Sequence, residues 1–456
     1  MTGEPLCVDA STPAVVLKLD PNVMHHGGLG VIRSLGRLGV PVYGVHEGPF
    51  APAASSRYLQ GRCFWQPDAG DTERVLAGLL RLADRIGQPA VLVPTDDAGA
   101  ILLAEHGSGL RKSFLFPDPP DDLPRRLAGK YSLSQLCGEL GVPSPRVTLP
   151  GSLEEARGFA AETGFPLIAK LTTPWSDGHG KLRSTSIVAD AGQLADTYQA
   201  CSQAGAGLML QEFIPGASGH DWFFHGYCDA SSTCRPAFTG VKERSYPAHA
   251  GLTCLGRSTL NTGLRDQVTA MLTRLGYRGT LDLDLRFDAR DGQYKLLDFN
   301  PRLGAQFRLF RDTAGLDVVT AAYLDLTGQA LPQGEQVAGR GFLVENYDPI
   351  GAFGYWRAGE LGLRSWLASL RTVDEAAWFA RDDLRPFGLM CARMGWRMAT
   401  RPLARGARAG GNAEFRYAAG RAATGNRKGA QSPQHRTKYA ATQQSAPQSS
   451  YEETKV

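Results

Sequence analysis

The chain has 456 residues, of which 43% are hydrophobic and 21% charged, a composition typical of a globular protein with two or three domains. The formal charge is +4, but residues 401–456 contain ten Lys and Arg against three Asp and Glu, so residues 1–400 carry a charge of −3. This distribution excludes a basic nucleic-acid-binding surface over residues 1–400. It predicts a disordered basic tail over residues 401–456.

The eight cysteines are scattered, and none forms the C-x-x-C spacing of a zinc or redox motif. Residues 1–10 lack the basic and apolar regions of a signal peptide. No stretch approaches the roughly 18 apolar residues that are needed to span a bilayer. We therefore expect a cytoplasmic protein without stable membrane insertion.

Residues 1–118 have the pattern of a parallel α/β domain. Apolar strands alternate with helical spacing, in the order strand 14–19, helix 31–38, strand 40–45, helix 72–86 and strand 90–93. The Thr-Asp-Asp sequence at 95–97 follows a strand, where open α/β sheets bind ligands. A glycine-rich turn at 28–33 is not a dinucleotide motif, because Arg33 replaces the third glycine; a tight strand–helix turn is the alternative.

A proline- and acid-rich linker at 117–122 indicates a domain boundary. A helix is predicted over 127–140, and an apolar strand over 165–171 contains Lys170. A lysine inside such a strand is costly unless its ammonium group meets an anion, and nucleotide phosphates would supply one. The loop 172–183 contains glycines whose backbone N–H groups can lie over phosphates, although an exposed loop is the alternative.

Further elements are predicted beyond this loop. They are a strand at 207–216, a central strand at 222–227, a polar stretch at 241–247 after a strand, a helix at 269–275, and an amphipathic helix at 314–328. His225, on the central strand, is expected to be a packed residue. The helical segment 389–398 mixes apolar residues with arginines, and it is expected to dock on the body, with a membrane surface as the alternative.

Two alternating strands, 281–288 and 293–302, flank an Asp291-Gly292 turn. Symmetric pairing about Asp291 places Asp284 opposite Asp298 and Asp282 opposite Asn300. The expected polar face is Asp282, Asp284, Arg286 and Asp288 on the first strand and Tyr294, Leu296, Asp298 and Asn300 on the second, with Leu281, Leu283, Leu285 and Phe287 on the apolar face.

Opposed carboxylates are destabilising on a sheet, so a shared cation is expected between Asp284 and Asp298. Oxygen ligands without His or Cys favour Mg²⁺ or Mn²⁺. Arg302, just beyond the second strand, is suited to bind a transferring phosphoryl group. The alternative is a solvated hairpin whose polar face binds nothing.

The sequence Asp298-Phe-Asn300-Pro-Arg302, with Asp284 fourteen positions before Asp298, resembles the metal-binding signature of the ATP-grasp superfamily. The likeness is to its carboxylate–amine ligase branch, which includes D-aspartate-ligase-like enzymes and, more distantly, carbamoyl phosphate synthetase. Asp298 replaces the usual Glu and shortens that ligand by one methylene. The resemblance implies an α/β and α+β protein: a Rossmann-like pre-ATP-grasp domain (1–118), a two-lobed ATP-grasp domain (119–335), a small C-terminal segment (336–400) and the tail.

The resemblance also implies roles for individual residues. Phosphate and lid positions correspond to Lys130, Lys170, Gly178 and Gly180, and the adenine hinge and ribose positions to Gln211, Glu212, Phe213, Ile214 and Asp221. The metal ligands are Asp284, Asp298 and Asn300, and the catalytic cations are Arg302, Lys242 and Arg244. Loops of the first domain, with Gly28, Gly30, Ser55, Ser56 and Arg57, are candidates to hold the carboxylate substrate, and Arg308 and Arg311 to face the second one. Taken alone, Lys130 would be an ordinary surface lysine.

The chemistry implied is ATP-dependent ligation. A carboxylate attacks the γ-phosphate of ATP, and an amine of an amino acid or small peptide attacks the resulting acyl phosphate, giving an amide, ADP and phosphate. ATP and two Mg²⁺ or Mn²⁺ ions are the expected cofactors, small molecules are the expected partners, and a homodimer is left open. The alternatives are a non-catalytic ATP sensor and another ATP-grasp reaction, carboxylation or phosphorylation; no biotin-accepting Met-Lys motif is present.

Overall fold

The structure is a computed structural model that describes residues 6–64, 71–172, 182, 184–216, 219–248 and 251–407. These residues form three β-sheets, which follow one another along the chain. The predicted lid glycines Gly178 and Gly180 lie outside the described residues, as does most of the predicted tail.

The first sheet is parallel and has the strand order β3-β2-β1-β4-β5. Its strands are β1 (Ala14–Leu17), β2 (Val42–His46), β3 (Leu59–Phe64), β4 (Ala90–Pro94) and β5 (Phe114–Leu115), and its helices are α1 (Gly27–Arg37), α2 (Thr72–Ile86) and α3 (Asp97–His106). The Asp71 side chain accepts from the Arg74 N–H at the start of α2, and Gly87 ends that helix with φ 75°. The parallel α/β prediction for this region is confirmed.

The second sheet is antiparallel, with the order β6-β9-β7-β8. Its elements are α4 (Leu123–Ala128), α5 (Lys130–Leu140), β6 (Val147–Thr148), α6 (Leu153–Thr163), β7 (Leu167–Leu171), β8 (Thr185–Val188), α7 (Ala191–Gln203) and β9 (Leu208–Glu212). The single helix predicted over 127–140 is wrong, because extended backbone at Gly129 (φ −78°, ψ 122°) separates α4 from α5. This break makes Lys130 the first residue of α5.

The third sheet has the order β14-β13-β10-β11-β12-β15-β16, and only its β15–β16 pair is parallel. Its elements are β10 (Asp221–Cys228), β11 (Cys234–Tyr246), β12 (Leu252–Ser258), α8 (Thr262–Leu275), β13 (Gly279–Asp288), β14 (Gln293–Asn300), α9 (Val318–Leu326), β15 (Gly341–Leu343), α10 (Asp348–Arg357), α11 (Leu363–Leu370), β16 (Glu375–Ala376) and α12 (Arg385–Ala407).

Three expectations for this part of the chain need correction. The polar stretch 241–247 does not follow a strand but lies largely within β11. Helix α9 is buried on nearly every side rather than amphipathic, because it lies between the first and third sheets. The segment 336–400 contributes β15 and β16 to the third sheet, so it shares that sheet with the preceding region; the domain boundaries themselves stay predictions.

The hairpin β13–β14 has the predicted register only in the half that lies away from its turn. Asp284 pairs with Asp298 and Asp282 with Asn300, as expected from symmetry about Asp291. A β-bulge then intervenes, and Leu285 pairs with Leu296. Because the bulge adds one residue to β14, Tyr294 and Leu296 lie on the apolar face; their predicted position on the polar face is wrong.

A buried ion pair attaches the C-terminal segment to the first domain. Arg33 is fully buried, and its guanidinium donates to the Asp383 carboxylate (3.0 Å) and to the Trp378 carbonyl (2.8 Å). The Ser56 hydroxyl and the Arg57 N–H also donate to Asp383, at 2.7 and 3.0 Å. Arg33, at the position where a dinucleotide motif would have its third glycine, therefore has a structural role.

The N-terminal half of α12 docks on the body, as predicted. Met390 is buried, and Phe387 and Met394 pack against the core cluster that contains Trp378. Among the described helices, none combines the length and the apolar character needed to cross a membrane.

We predict that Asp383→Ala destabilises the protein by about 3–5 kcal/mol, because Arg33 is left as a buried charge without its counterion. The measurement is the free energy of unfolding in urea. Asp382→Ala is the matched control: Asp382 pairs with Arg37 at the surface and should cost less than about 1 kcal/mol. Equal losses in the two variants would contradict the assignment of Asp383 as the anchor.

Candidate active site

A cavity of about 330 Å³ lies between the first sheet and the β13–β14 hairpin. The first domain contributes the segment after β1 and the residues after β4, and the third sheet contributes the polar face of the hairpin. Its lining includes Asp20, His25, His26, Asp96, Asp97, Lys242, Leu252, Asp282, Asp284, Asp298, Asn300, Arg302 and Tyr347. The structure therefore brings together the three predicted metal ligands and two of the predicted catalytic cations.

Lysine side chains balance the opposed carboxylates of the hairpin. Lys242, on β11, places its Nζ 2.8 Å from Oδ1 of Asp284. Lys130, at the start of α5, forms an ion pair with Asp298. Because α5 and β11 are separate elements that precede the hairpin by many residues, only the folded chain could show that these ammonium groups reach the two carboxylates.

The pKa values show how unequal the acidic residues are. Burial raises the pKa of Asp284, although Lys242 opposes this shift, and burial likewise raises the pKa of Asp282 against the nearby Arg302. Burial also acts to raise the pKa of Asp298, but Lys130, Lys170 and Arg302 together hold that pKa below its usual value. Asp298 is thus stabilised as an anion, whereas the nearby cations do not fully offset the effect of burial at Asp282 and Asp284.

The donor set suits a hard divalent cation. Asp284, Asp298 and Asn300 present oxygens on one face of the hairpin, which is the chemistry that Mg²⁺ or Mn²⁺ prefers. In the described part of the chain, no three acidic, His or Cys side chains are already arranged around a common metal position. Binding of an ion would therefore displace the ammonium groups of Lys130 and Lys242 from these carboxylates.

Arg302 joins the hairpin to the first domain. Its Nη1 lies 3.1 Å from Oδ2 of Asp282, and its Nε lies 3.3 Å from Oδ1 of Asp97 at the start of α3. Burial alone would lower the pKa of Arg302, but Asp282 and Asp97 raise it above its ordinary value. The guanidinium therefore remains charged and is held in position beside the polar face.

Lys170 lies near the same cluster on the second sheet. Its Nζ donates to Oε1 of Gln211 (2.8 Å), so these two predicted nucleotide residues contact each other across paired strands. Burial lowers the pKa of Lys170 to about 8, and the charge of Lys130 adds to this effect. An anionic ligand would reverse this shift.

The predicted adenine hinge lies where β9 ends and is tied to β13. Glu212 pairs with Arg290 (2.7 Å), and Asp221 pairs with Arg286 (2.6 Å). Arg286 also donates to the carbonyl of the buried Ile214 (3.1 Å), and Phe213 is half-buried. Asp221 and Glu212 are thus already engaged by arginines of the hairpin.

Several predicted residues lie elsewhere. Arg244 is buried and bonded to Asp348 and Ser369, both at 2.8 Å, so it links β11 to α10 and α11 and does not line the cavity.

Gly28 and Gly30 lie in the first turn of α1, where an added Cβ at Gly30 would meet Phe307 at 2.7 Å, so their role here is packing. Ser56 and Arg57 bond Asp383, Ser55 bonds its own turn, and the buried Arg308 bonds the Ala376 and Ala377 carbonyls.

Sequence reasoning missed the histidines of the cavity. His25 and His26 line the cavity, and burial lowers the pKa of each to about 3. His225 is packed as predicted: its ring lies 4.9 Å from that of Phe310, and its Nε2 is 3.2 Å from Oδ1 of Asp282. Asp282 and Asp97 also belong to the site. For Asp97 the signal was present, since it follows β4 at the ligand-binding edge of the sheet.

No family model matches the chain. D-aspartate ligase of Enterococcus faecium is 25% identical over 230 residues, which cover 47% of this chain and 53% of that protein. The carbamoyl phosphate synthase large chain of Deinococcus radiodurans is 27% identical over 212 residues, covering 45% of this chain and 20% of that protein. This chain therefore spans about half of the first relative and a fifth of the second.

Among solved structures, the fold is similar to the biotin carboxylase domain of Hydrogenobacter thermophilus 2-oxoglutarate carboxylase, described as a dimer in complex with MgADP and bicarbonate. The TM-score is 0.51 at 17% identity, with 71% of each chain covered. At this identity the likeness shows the fold alone. Together with the two sequence relatives, it confirms the resemblance that the hairpin motif indicated.

Proposed function

We propose that this protein is an ATP-dependent carboxylate–amine ligase. The observation that carries the proposal is the face where Asp284 opposes Asp298, because both carboxylates, two lysines and Arg302 converge on one cavity. Such a concentration of paired charges is costly to maintain in an ATP-binding protein without turnover. The homology to D-aspartate ligase and carbamoyl phosphate synthase supports ligation over the other reactions of the fold.

In the proposed reaction, an oxygen of the substrate carboxylate attacks the γ-phosphorus of ATP, and ADP leaves. The amine then attacks the acyl carbon, and inorganic phosphate leaves with the bond electrons. Arg302 and Lys170 stabilise the charge that develops on the phosphoryl oxygens. Because Asp282 and Asp97 already position Arg302, little rearrangement is needed when the phosphoryl group arrives.

Asp284, Asp298 and Asn300 would hold the divalent cation. Such an ion, when bound, neutralises phosphate charge and aligns the phosphates for in-line transfer. Displaced from their carboxylates, Lys130 and Lys242 would be available to the phosphates and to the substrate carboxylate. In this exchange of partners the lysines neutralise the carboxylates without nucleotide and the phosphates with it.

The wall that the first domain contributes favours an amine as the second substrate. Nδ1 of His25 and Nδ1 of His26 are buried and have no hydrogen-bond partner among the described residues. Oδ1 of Asp97 is buried as well and lies 3.3 Å from Nε of Arg302. Both imidazoles are neutral, because burial lowers their pKa to about 3. A neutral imidazole has one nitrogen that accepts a hydrogen bond, a carboxylate has two accepting oxygens, and an amine supplies the matching N–H groups.

The proposal is tested by ADP release with pooled carboxylates and pooled amines. Release that requires ATP, a divalent ion, an acid and an amine together supports ligation, and mass spectrometry of the product identifies the pair. Tight ATP binding without turnover for any pair would identify a sensor instead. Bicarbonate-dependent release without an amine would identify a carboxylation.

We expect Asp298→Asn to lower the rate of ADP formation about a hundredfold or more, since it removes one charged ligand from the phosphate site. The cooperative unfolding transition should remain, because the Asp298–Lys130 pair is partly exposed. Asp291→Asn is the matched control: it lies in the turn of the same hairpin and should leave the rate unchanged. Loss of cooperative unfolding in Asp298→Asn would show a structural role for this carboxylate.

ATP affinity should fall as the pH rises from 7 to 9, by up to about tenfold. Lys170 has a pKa of about 8 in the free protein, and phosphate binds its charged form, so above pH 8 binding must first restore the proton. Titration calorimetry at several pH values measures the slope. Lys170→Arg should flatten this pH dependence, because a guanidinium stays charged. Lys295→Arg, on β14, is the control and should leave the pH dependence unchanged.

A further inference from the structure

Helices α10 and α11 leave an apolar surface uncovered. Their exposed side chains include Ile350, Phe353, Trp356, Leu363 and Leu367, each between 44% and 65% exposed. On α12, Trp396 and Met398 are exposed too, but they lie about 200° apart around the helix, so at most one of them faces the same way as this surface. We call this the C-terminal helical surface; patches of this kind mark interaction sites on soluble domains.

A groove between α10 and α11 forms its centre. The groove has a volume of about 330 Å³, and its walls include Phe353, Trp356, Leu363 and Trp366, with no charged residue among them. No residue of α11 is buried in the described structure. This helix is held by polar bonds, from Trp366 Nε1 to Asp348 (2.8 Å) and from Arg244 to Ser369, so its apolar side chains are free to meet a partner.

Exposed arginines flank this apolar surface. Over residues 348–374 the exposed charged residues are Arg357, Arg364 and Arg371 against Glu360 and Asp374, because Asp348 is buried against Arg244. On α12, Arg397 is exposed, and the sequence of that helix contains five arginines and no Asp or Glu. Aromatic and aliphatic side chains flanked by arginines are the composition of helices that lie in the interface of anionic membranes.

Two other occupants fit less well. The sequence after residue 407 contains no Leu, Ile, Met or Trp, so it offers little to fill an apolar groove. A second copy of this chain would bring a further set of the same arginines to the interface, so positive charge would accumulate there. An anionic lipid surface matches both the apolar side chains and the arginines, since acyl chains contact the former and phosphates pair with the latter.

We propose that the C-terminal helical surface binds the interface of an anionic lipid bilayer. The surface adjoins the mouth of the candidate active site, because Tyr347, the residue before α10, and the exposed Leu252 both line that cavity. Arg397 of α12 lies near the phenol of Tyr347, where it opposes the upward effect of burial on the pKa of that group. Docked in this way, the protein would present its cavity to substrates held at the membrane.

The test is flotation of the full chain with vesicles of phosphatidylglycerol and phosphatidylcholine, compared with phosphatidylcholine alone. We expect binding only to the anionic vesicles. Phe353→Ser/Trp356→Ser should weaken binding at least about tenfold, and Arg364→Glu about fivefold or more. Phe64→Ser, which changes a similarly exposed phenylalanine on β3, is the matched control and should bind as the unchanged protein does.

Tryptophan quenching by brominated lipids tells whether the apolar surface inserts into the bilayer or whether the basic tail alone is attracted to it. Quenching should fall in Trp356→Phe and Trp396→Phe, which keep the apolar surface but remove the fluorophores. Binding that persists in Phe353→Ser/Trp356→Ser and shows no quenching would assign lipid attraction to the tail and overturn the proposal. A dimer in solution that these serine variants dissociate, without vesicle binding, would overturn it in favour of a second copy. Vesicle binding does not depend on the proposed ligase activity, so the two can fail separately.

Discussion

The structure depends most on the electrostatic balance of one hairpin. Asp284 and Asp298 face each other on neighbouring strands, and they are tolerated because Lys242 and Lys130 reach them from two other parts of the chain. This balance couples the third sheet to α5, the helix that leads into the second sheet. A divalent ion can replace the lysines beside the carboxylates, and the freed ammonium groups can then face phosphates, which makes the site suited to bind and release a charged substrate.

A second set of charges fixes the first domain against this hairpin. Arg302 spans from Asp282 to Asp97, and Arg33 holds the C-terminal segment through Asp383. One core cluster contains side chains of β1, α1, α9, β15 and the Trp378 region, so the first domain and the C-terminal segment share packing. The cavity therefore has walls from distant parts of the sequence, and its acidic, histidine-lined wall is built by the first domain. That wall is the basis for proposing an amine as the second substrate.

Local patterns predicted much of the framework. Apolar runs indicated β1, β2 and β4 of the first sheet, and alternation of apolar and polar residues indicated the hairpin. The pairing of Asp284 with Asp298 followed from the turn position. The exceptions have local physical causes: extended backbone at Gly129 divides one predicted helix, and a bulge in β14 moves Tyr294 and Leu296 to the apolar face. Neither feature changes the periodicity of the sequence enough to be seen there.

Residue patterns alone were enough to identify the acidic hairpin, the lysine in β7 and the parallel α/β start of the chain, because each depends on neighbours within a few residues. The packing of the sheets was needed to show that Arg244 bonds Asp348 and Ser369, that His26 is buried and His25 half-buried, and which cations face which carboxylates. Those contacts join residues that are many tens to hundreds of positions apart, such as Arg33 and Asp383. Burial and ion pairing depend on how the sheets pack together, and no local pattern of residues carries that information.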